Sequence, residues 1–262
     1  MKDNSSRLDL LLLHDMEDGR LDMPLAQAAL IASGVNTEKK MHVYLAKIDS
    51  LISRINRETN ILYTSDSFSK AESIFDWLQS NANEGVYPDC YDFRDTLNLR
   101  IGNCLAYSIR FTILCRYYAV DAKNIFVPGH IYNLHISGKK KQYFEHTHSD
   151  GIVKKNDLNN SQKKFMRDEE LVAEIFLYRA REEHREKQYD ASTRFCQYAL
   201  LCNPNDSRPV ILLLNNYIAK EEYTVAFHCL DEFLIDHPND KDIFQKTYAL
   251  LRRFSKEKTT HP

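Results

Sequence analysis

Residues 124–147 read NIFVPGHIYNLHISGKKKQYFEHT and decide the fold class. Asn124 to Ile136 is rich in β-branched and aromatic residues, and Gln142 to Thr147 alternates between apolar and polar residues. Ser137 to Lys140, which reads SGKK, is typical of a turn. The pattern therefore predicts a β-hairpin of two strands.

Two pairing registers are open for this hairpin. If Ser137-Gly138 forms the turn, His130 faces Glu145 directly. If Gly138-Lys139 forms the turn, His130 faces Thr147 and Glu145 is its diagonal neighbour. Both registers place the Glu145 carboxylate within reach of the His130 ring on one face of the sheet.

Three amphipathic stretches precede the hairpin and predict helices: Leu25–Ala32, Met41–Ile55 and Phe68–Leu78. The third is opened by Ser65-Asp66-Ser67, any of which could supply an N-cap. Only 7 Gly and 7 Pro in 262 residues also favour regular, mainly helical structure. Helices followed by strands indicate an α+β domain.

Arg100 to Ser108 reads RIGNCLAYS and carries the strongest chemical signal. Gly102-Asn103 predicts a tight turn with an N-cap, and the apolar run through Tyr118 predicts a helix, so Cys104 falls at the first helical position. The backbone N–H groups and dipole of a helix N-terminus stabilise thiolate over thiol. Alternatively, Cys104 is one more buried cysteine.

A cysteine nucleophile requires a base, and the base requires an orienting partner. His130 and Glu145 can fill these two positions, since a carboxylate beside an imidazole fixes its tautomer and stabilises the imidazolium. We assign Asn103, Tyr107 and Tyr132 as candidate substrate contacts. Tyr107, Tyr132 or Tyr143 lining a groove would favour a peptide substrate, although aromatic residues are also common in cores.

The C-terminal part of the chain repeats with a period of 34 residues. Asn203 to Asp206 (NPND) returns as His237 to Asp240 (HPND), and Tyr189 returns as Tyr223. Paired helices of this kind cannot bury their own apolar faces and must stack on neighbours. The pattern resembles the tetratricopeptide repeat, and Lys241–Phe254 is expected to form a closing helix. Such repeats bind peptides or protein partners, or brace a neighbouring domain.

The order of three short motifs resembles the transglutaminase-like superfamily of papain-related folds. The motifs are Gly102-Asn103-Cys104, Pro128-Gly129-His130 and Glu145-His146-Thr147. The resemblance is greatest to a bacterial branch with C-terminal tetratricopeptide repeats, and it covers about residues 20–250. It implies that Cys104 is the nucleophile, His130 the general base and acid, and Glu145 the orienting carboxylate.

The chain departs from that superfamily at two positions. The third catalytic member is usually Asp, and a tryptophan usually stands two positions after the histidine; here these places hold Glu145 and Tyr132. Some branches have also lost the cysteine. Membership therefore does not by itself establish turnover.

These patterns predict two domains and a linker. We expect a papain- or transglutaminase-like α+β domain over 1–150, in which a helical N-terminal segment comes first and the Cys-bearing helix packs on a small antiparallel sheet. A linker follows over 151–167, and an all-α tetratricopeptide-like repeat module with its closing helix covers 168–262. The segment 139–167 contains eight basic residues and three acidic ones. This excess indicates a solvated turn and linker or, alternatively, contact with an acidic partner.

We expect a cysteine amidase, peptidase or transglutaminase-like protein that acts on an amide of a peptide or protein. The alternative is an inactive scaffold whose helical repeats recruit a protein partner. A Cys104 sulfur close to a His130 nitrogen favours the enzyme, and a Cys104 that points into the core favours the scaffold.

The composition argues against two classes of partner, nucleic acids and membranes. Lys+Arg 35 against Asp+Glu 37 gives a net charge of −2, which argues against a dedicated nucleic-acid binder. The apolar run Leu10–Leu13 is too short for a signal-peptide core or a membrane span. Six cysteines without a CxxC pair indicate free thiols, so we expect a cytoplasmic protein without membrane contact.

A zinc site is the rival interpretation of the histidines. His130, His135, His146 and His148 fall within nineteen residues. However, an odd separation places 130 and 135 on opposite faces of a regular strand. We therefore predict neither a metal nor another cofactor.

Overall fold

The chain is described here by a computed structural model, which covers residues 6–148, 151, 153, 159 and 161–259. It combines helices, at 63% of residues, with strands at 11%, so the predicted combination of helices with a small sheet is confirmed. The chain divides into two compact units, Met1–Ile175 and Phe176–Pro262. In the described part of the chain, no helix has both the length and the apolar character needed to cross a membrane.

Helices make up most of the first unit. They are α1 (Arg7–Asp15), α2 (Leu25–Ala32), α3 (Glu38–Glu58), α4 (Ser67–Asn81), α5 (Phe93–Asn98) and α6 (Cys104–Tyr117), with a 3₁₀ turn at Ile61–Tyr63. All three upstream helices predicted from the sequence are present. Helix α4 begins where expected because the Asp66 carboxylate accepts a hydrogen bond from Ser69 N at 2.8 Å.

Six short strands form two sheets. Strands β1 (Gly85–Val86) and β2 (Ile101–Gly102) pair in parallel. Strands β3 (Ala122–Val127), β4 (His130–Ser137), β5 (Lys140–Phe144) and β6 (Lys164–Met166) form an antiparallel sheet in the order β5-β4-β3-β6.

The prediction of one continuous strand from Asn124 to Ile136 is wrong. The chain turns at Pro128-Gly129, where Gly129 has φ +81°, and Val127 pairs with His130 across the turn. Proline lacks a backbone N–H and glycine tolerates a positive φ, so this dipeptide ends β3 and starts β4. His130 is therefore the first residue of a strand beside a turn.

The register between β4 and β5 is the second of the two alternatives. Asn133 pairs with Phe144 and Ser137 pairs with Lys140, so Gly138-Lys139 forms the turn. Strand β5 ends at Phe144, three residues earlier than predicted. Glu145 consequently lies directly after the strand end, diagonal to His130.

Part of the predicted linker 151–167 belongs to the sheet, because β6 pairs with β3. Residues 152, 154–158 and 160 lie outside the described residues. Two of the basic side chains near the end of this segment form ion pairs, Lys164 with Glu170 at 3.1 Å and Arg167 with Glu169 at 2.8 Å. Helix α7 (Asp168–Arg185) follows and runs from the first unit into the second.

The second unit is helical. Its remaining elements are α8 (Tyr189–Cys202), α9 (Ser207–Ala219), α10 (Tyr223–Asp236), a 3₁₀ turn (Pro238–Asp240) and α11 (Lys241–Thr259). The starts of α8 and α10 are 34 residues apart, as are the starts of α9 and α11. Lys187 and Glu221, also 34 apart, both have φ +59° just before α8 and α10. The sequence period therefore corresponds to a repeated pair of helices.

Candidate active site

Asn103 fixes the start of helix α6 through three hydrogen bonds. Its side-chain oxygen accepts from Ala106 N at 3.1 Å, its side-chain amide donates to Pro88 O at 3.1 Å, and its backbone N–H donates to Cys90 O at 2.8 Å. The residue is only 3% exposed. Asn103 therefore anchors the helix N-terminus to the segment around Pro88 and has no surface left for a substrate.

Gly102 lets this anchor sit close to the core. A Cβ at this position would lie 3.1 Å from Thr96 Cγ2, 3.2 Å from Tyr107 Cε1 and 3.3 Å from Ala106 Cβ. These distances are tighter than ordinary contacts. Position 102 therefore requires glycine because a side chain has no room there, and position 103 requires asparagine because its side chain caps the helix.

Cys104 is the first residue of α6 and is half-buried. No group among the described residues accepts a hydrogen bond from the backbone N–H of Cys104 or Leu105. These two donors lie at the positive end of the helix dipole, where anions are stabilised. The sulfur therefore lies beside two N–H groups that are free to bind a developing negative charge.

His130 and Glu145 form an ion pair across the sheet edge. His130 Nε2 contacts Glu145 Oε2, and Glu145 is only 1% exposed. The other carboxylate oxygen accepts from Thr147 N at 2.8 Å and from Thr147 Oγ1 at 2.6 Å. The carboxylate is held from both sides, and it fixes the orientation of the imidazole.

Cys104 interacts with the same imidazole. Burial disfavours the charged ring, but hydrogen bonds with Cys104 and with Glu145 outweigh it and raise the pKa of His130 to about 10. Burial likewise opposes the charge of Glu145, yet the hydrogen bonds from His130 and Thr147 lower the pKa of this carboxyl to about 2. Both groups are therefore charged at neutral pH, and an imidazolium lies beside the Cys104 sulfur.

Comparison of the chain with protein-family models, with curated proteins and with solved structures finds no match. The chemistry of the site must therefore be argued from its geometry. A thiol at a helix N-terminus, an imidazolium whose pKa that thiol helps to raise and a buried carboxylate behind the ring have the composition needed for nucleophilic attack on a carbonyl carbon.

The neighbouring His146 has a different environment from His130. It packs against the rings of Phe75 and Phe111, and its Nε2 donates to Asn133 Oδ1 at 2.7 Å. Burial lowers the pKa of His146 to about 3. His146 is therefore a neutral core residue and contributes a hydrogen bond, not a charge, to the base of the site.

The other histidines do not assemble a metal site. His135 contacts Asp121 O at 3.0 Å and Ser67 Oγ at 2.8 Å. Among the residues that the structure describes, no group of three or more His, Cys, Asp or Glu side chains could hold a metal ion. The donor set around His130 consists of one sulfur and one carboxylate already engaged in an ion pair.

The predicted substrate contacts need correction. Tyr107 and Tyr132 are both 0% exposed, and the Tyr107 hydroxyl donates to Gly85 O at 2.6 Å and to Arg100 O at 3.0 Å. Asn103 is committed to capping. Tyr143, the third tyrosine of the predicted groove, is half-buried. The structure gives the first three no surface with which to contact a substrate.

Sequence patterns missed two supports of the site. Gln79 Nε2 donates to the backbone oxygens of Glu145 and His146, both at 3.4 Å. Asn133, on β4, accepts from His146 and donates to Thr112 Oγ1 at 3.0 Å. A lone Gln on an amphipathic helix gives no signal, whereas Asn133 inside an apolar strand was a detectable anomaly, since buried amides need partners.

Proposed function

We propose that the chain is a cysteine acyl-transfer or amide-hydrolysis protein that acts on an amide of a peptide or protein. Cys104 is the nucleophile, His130 the acid and base, and Glu145 the residue that orients the ring. The single observation that carries the proposal is the His130 ring, which contacts Glu145 through Nε2 and interacts with Cys104.

The proposed reaction has two halves. The Cys104 thiolate attacks the amide carbonyl carbon, the C–N bond breaks, and the imidazolium of His130 gives its proton to the leaving amine or ammonia. The thioester is then attacked by water or an acceptor amine, whose proton goes to the neutral imidazole. The C–S bond breaks and the thiolate–imidazolium pair returns.

Negative charge on the carbonyl oxygen would be stabilised by the helix start. The N–H groups of Cys104 and Leu105 lie at the N-terminus of α6. Preorganised donors of this kind contribute more in the transition state than in the ground state. The same two groups also favour the thiolate before the substrate arrives.

The order of elements supports a transglutaminase-like, papain-related fold for the first unit. A Cys-bearing helix comes first, a strand that begins with the histidine follows, and the carboxylate lies after the next strand. A glutamate as the third member is accommodated because Glu145 lies beyond the end of β5, diagonal to His130, where the longer side chain spans the extra distance.

The repeated helix pairs support a tetratricopeptide-like module in the second unit. Ser192 and Ala226, equivalent positions of α8 and α10, are both 0% exposed, so small residues occupy the close contacts. We propose that this module binds a protein partner. This role does not depend on turnover at Cys104.

Thiol labelling tests the proposed nucleophile. Burial raises the pKa of Cys90 to about 12 and that of Cys229 to about 11. We therefore expect iodoacetamide at neutral pH to modify Cys104 first, and Cys104→Ala to abolish the fast phase. The matched variant Cys90→Ala should retain it.

Mass spectrometry of the labelled chain decides between the enzyme and the scaffold. Equal labelling of Cys90 and Cys104 would contradict the proposed activation. A Cys104→Ala variant used as bait should also retain a protein substrate that the unaltered chain releases, and the amide that reacts identifies the reaction.

A further inference from the structure

A basic trough runs along one face of helix α3 beside α5. It consists of two adjoining cavities of about 470 Å³ and 230 Å³, which share Lys47. The first cavity is lined by Lys39, Lys40 and Arg94, among others, and the second by Arg54 and Arg100. Neither cavity has a carboxylate in its lining.

The helical period places these side chains together. Because successive residues rotate by about 100° around an α-helix, the α3 residues that line the cavities fall within an arc of about 140°. The buried residues Met41, Ile48, Ile52 and Ile55 occupy the adjoining arc. Glu38 and Asp49 fall on the remaining side, away from the trough.

Three cations of the trough have no anionic partner. Arg54, Arg94 and Arg100 form ion pairs with Glu58, Asp92 and Glu84. By contrast, no carboxylate in the described part of the chain pairs with Lys39, Lys40 or Lys47. The trough therefore keeps a local charge of about +3 although the whole chain carries −2.

Neutral amides hold two of these ammonium groups in place. Lys40 Nζ donates to Asn36 Oδ1 at 3.3 Å, and Lys47 Nζ donates to Asn98 Oδ1 at 2.5 Å. Asn98 in turn donates to the Tyr44 hydroxyl at 3.1 Å. An amide oxygen orients a lysine without neutralising it, so the lysines remain available to an anionic ligand.

The trough ends close to the proposed nucleophile. Arg100 precedes Cys104 by four residues, and four extended residues span at most about 14 Å. From Lys39 to Arg54 the helix rises about 22 Å, the length of about seven residues of an extended peptide. The end of the trough at Arg100 therefore lies within about 14 Å of Cys104, a distance that about four further residues of an extended peptide would span.

We propose that this trough docks an acidic, extended segment of the protein substrate and delivers an adjacent amide to Cys104. The inference rests on the proposed function for the identity of the occupant as substrate. Charge complementarity attracts the segment and sets its position, and the half-buried ring of Tyr44 and the exposed Val43 offer apolar contact between the lysines.

Peptide binding to the full-length Cys104→Ala chain tests the docking without turnover. The probe is a fluorescein-labelled ten-residue peptide of alternating Glu and Gly, followed by fluorescence anisotropy. Replacing Lys39, Lys40 and Lys47 by Glu is expected to weaken binding by about tenfold or more, which corresponds to about 1.4 kcal/mol. Replacing Lys139, Lys140 and Lys141 by Glu makes the same change in net charge and should alter binding by less than about twofold. If the Glu variant does not fold, the corresponding Gln variant carries the test.

Several outcomes would overturn the inference. Equal weakening by both triple variants would show a net-charge effect, and weakening by the control alone would place the acidic segment at the hairpin. Equally tight binding of a ten-nucleotide oligo(dT) would indicate a nucleic-acid groove instead. The proposed function is tested separately by Cys104 labelling. If Cys104 is labelled rapidly but the trough variant binds the peptide as tightly as the unaltered trough does, only the docking is rejected. If the trough binds the peptide selectively but Cys104 is not labelled rapidly, only the catalysis is rejected.

Discussion

Glu145, directly after the end of β5, holds His130 at the start of β4, with one carboxylate oxygen on the imidazole and the other on Thr147. This arrangement does more than orient a ring. The buried carboxylate makes the imidazolium the stable form at neutral pH, so the proposed nucleophile Cys104 has a cationic neighbour.

Replacing Glu145 with Gln should slow alkylation of Cys104 by about tenfold or more at pH 7, because loss of about 1.4 kcal/mol of stabilisation corresponds to that factor. The amide can still accept from Thr147, so the fold is expected to remain intact. It cannot, however, stabilise a charged His130. The rate of iodoacetamide labelling measures the effect, with circular dichroism to verify the fold.

The chain offers a matched control in an exposed pair. His14 and Glu17 lie 3.1 Å apart, with side chains 80% and 68% exposed. Glu17→Gln makes the same chemical change and should leave the labelling rate unaltered. An unaltered rate in Glu145→Gln would mean that the carboxylate does not activate the thiol.

The Glu145–His130 pair should give the folding stability a defined pH window. The pKa of His130 is raised from 6.5 to about 10, so its contribution is complete below pH 6.5 and is lost as the pH rises through 10. The pKa of Glu145 is lowered from 4.5 to about 2, so its contribution is complete above pH 4.5 and is lost as the pH falls through 2. The pair therefore stabilises the fold most between about pH 4.5 and 6.5.

Urea unfolding of the unaltered chain and of Glu145→Gln at several pH values measures this window. The difference in unfolding free energy should be greatest between pH 4.5 and 6.5, shrink steadily above pH 6.5 and be lost by about pH 10. A difference that grows steadily from pH 6.5 to 10 would have the wrong sign and would contradict the ion pair.

The sequence predicted the candidate catalytic residues better than it predicted which side chains are exposed to a substrate. The hairpin register already brought His130 and Glu145 together, the motif resemblance added Cys104, and the capped helix start followed from Gly102-Asn103. Tyr107 and Tyr132 were assigned to a groove because aromatic residues suit peptide recognition. Their burial depends on tertiary packing, which one-dimensional spacing does not record.

The strand boundaries show the same limit. Composition marked Asn124–Ile136 as extended, but the two-residue turn at Pro128-Gly129 divides it, and that dipeptide was a readable signal. Strand β6 could not be predicted, because Lys164–Met166 is only three residues long and its pairing with β3 depends on tertiary contact. Likewise, the α3 residues of the basic trough are spread over sixteen positions and form one surface only once α5 lies beside α3.

His146 should remain neutral through the whole physiological range. Since burial lowers its pKa to about 3 from 6.5, the unfolded state binds more protons below pH 6.5, and stability should fall as the pH decreases. Its slope can reach about 1.4 kcal/mol per pH unit for one proton. Between pH 4.5 and 6.5 neither His130 nor Glu145 changes the unfolding free energy with pH, so the contribution of His146 can be measured separately in that interval.

Two measurements examine this residue. The ring resonances of His146 should not shift between pH 8 and 4.5 in NMR spectra. His146→Phe should flatten the pH dependence in that interval while costing about 1–3 kcal/mol, because Asn133 Oδ1 loses its buried donor. Titration of the His146 ring near pH 6.5 would contradict the buried, neutral assignment.

Gly102→Ala should damage the site through packing alone. The added methyl meets Thr96, Ala106 and Tyr107 at 3.1–3.3 Å, so we expect a loss of stability of about 1–3 kcal/mol, as for other overpacked positions. The shift should pass to Cys104, two residues later at the helix start, and slow its alkylation. Gly138→Ala is a useful comparison, because nothing lies within 4 Å of its Cβ and it is remote from α6 in sequence, although its φ of +60° adds backbone strain. We expect Gly138→Ala to lose about as much stability as Gly102→Ala while Cys104 is labelled at the normal rate. Normal labelling of Cys104 in Gly102→Ala would show instead that the helix start tolerates the displacement.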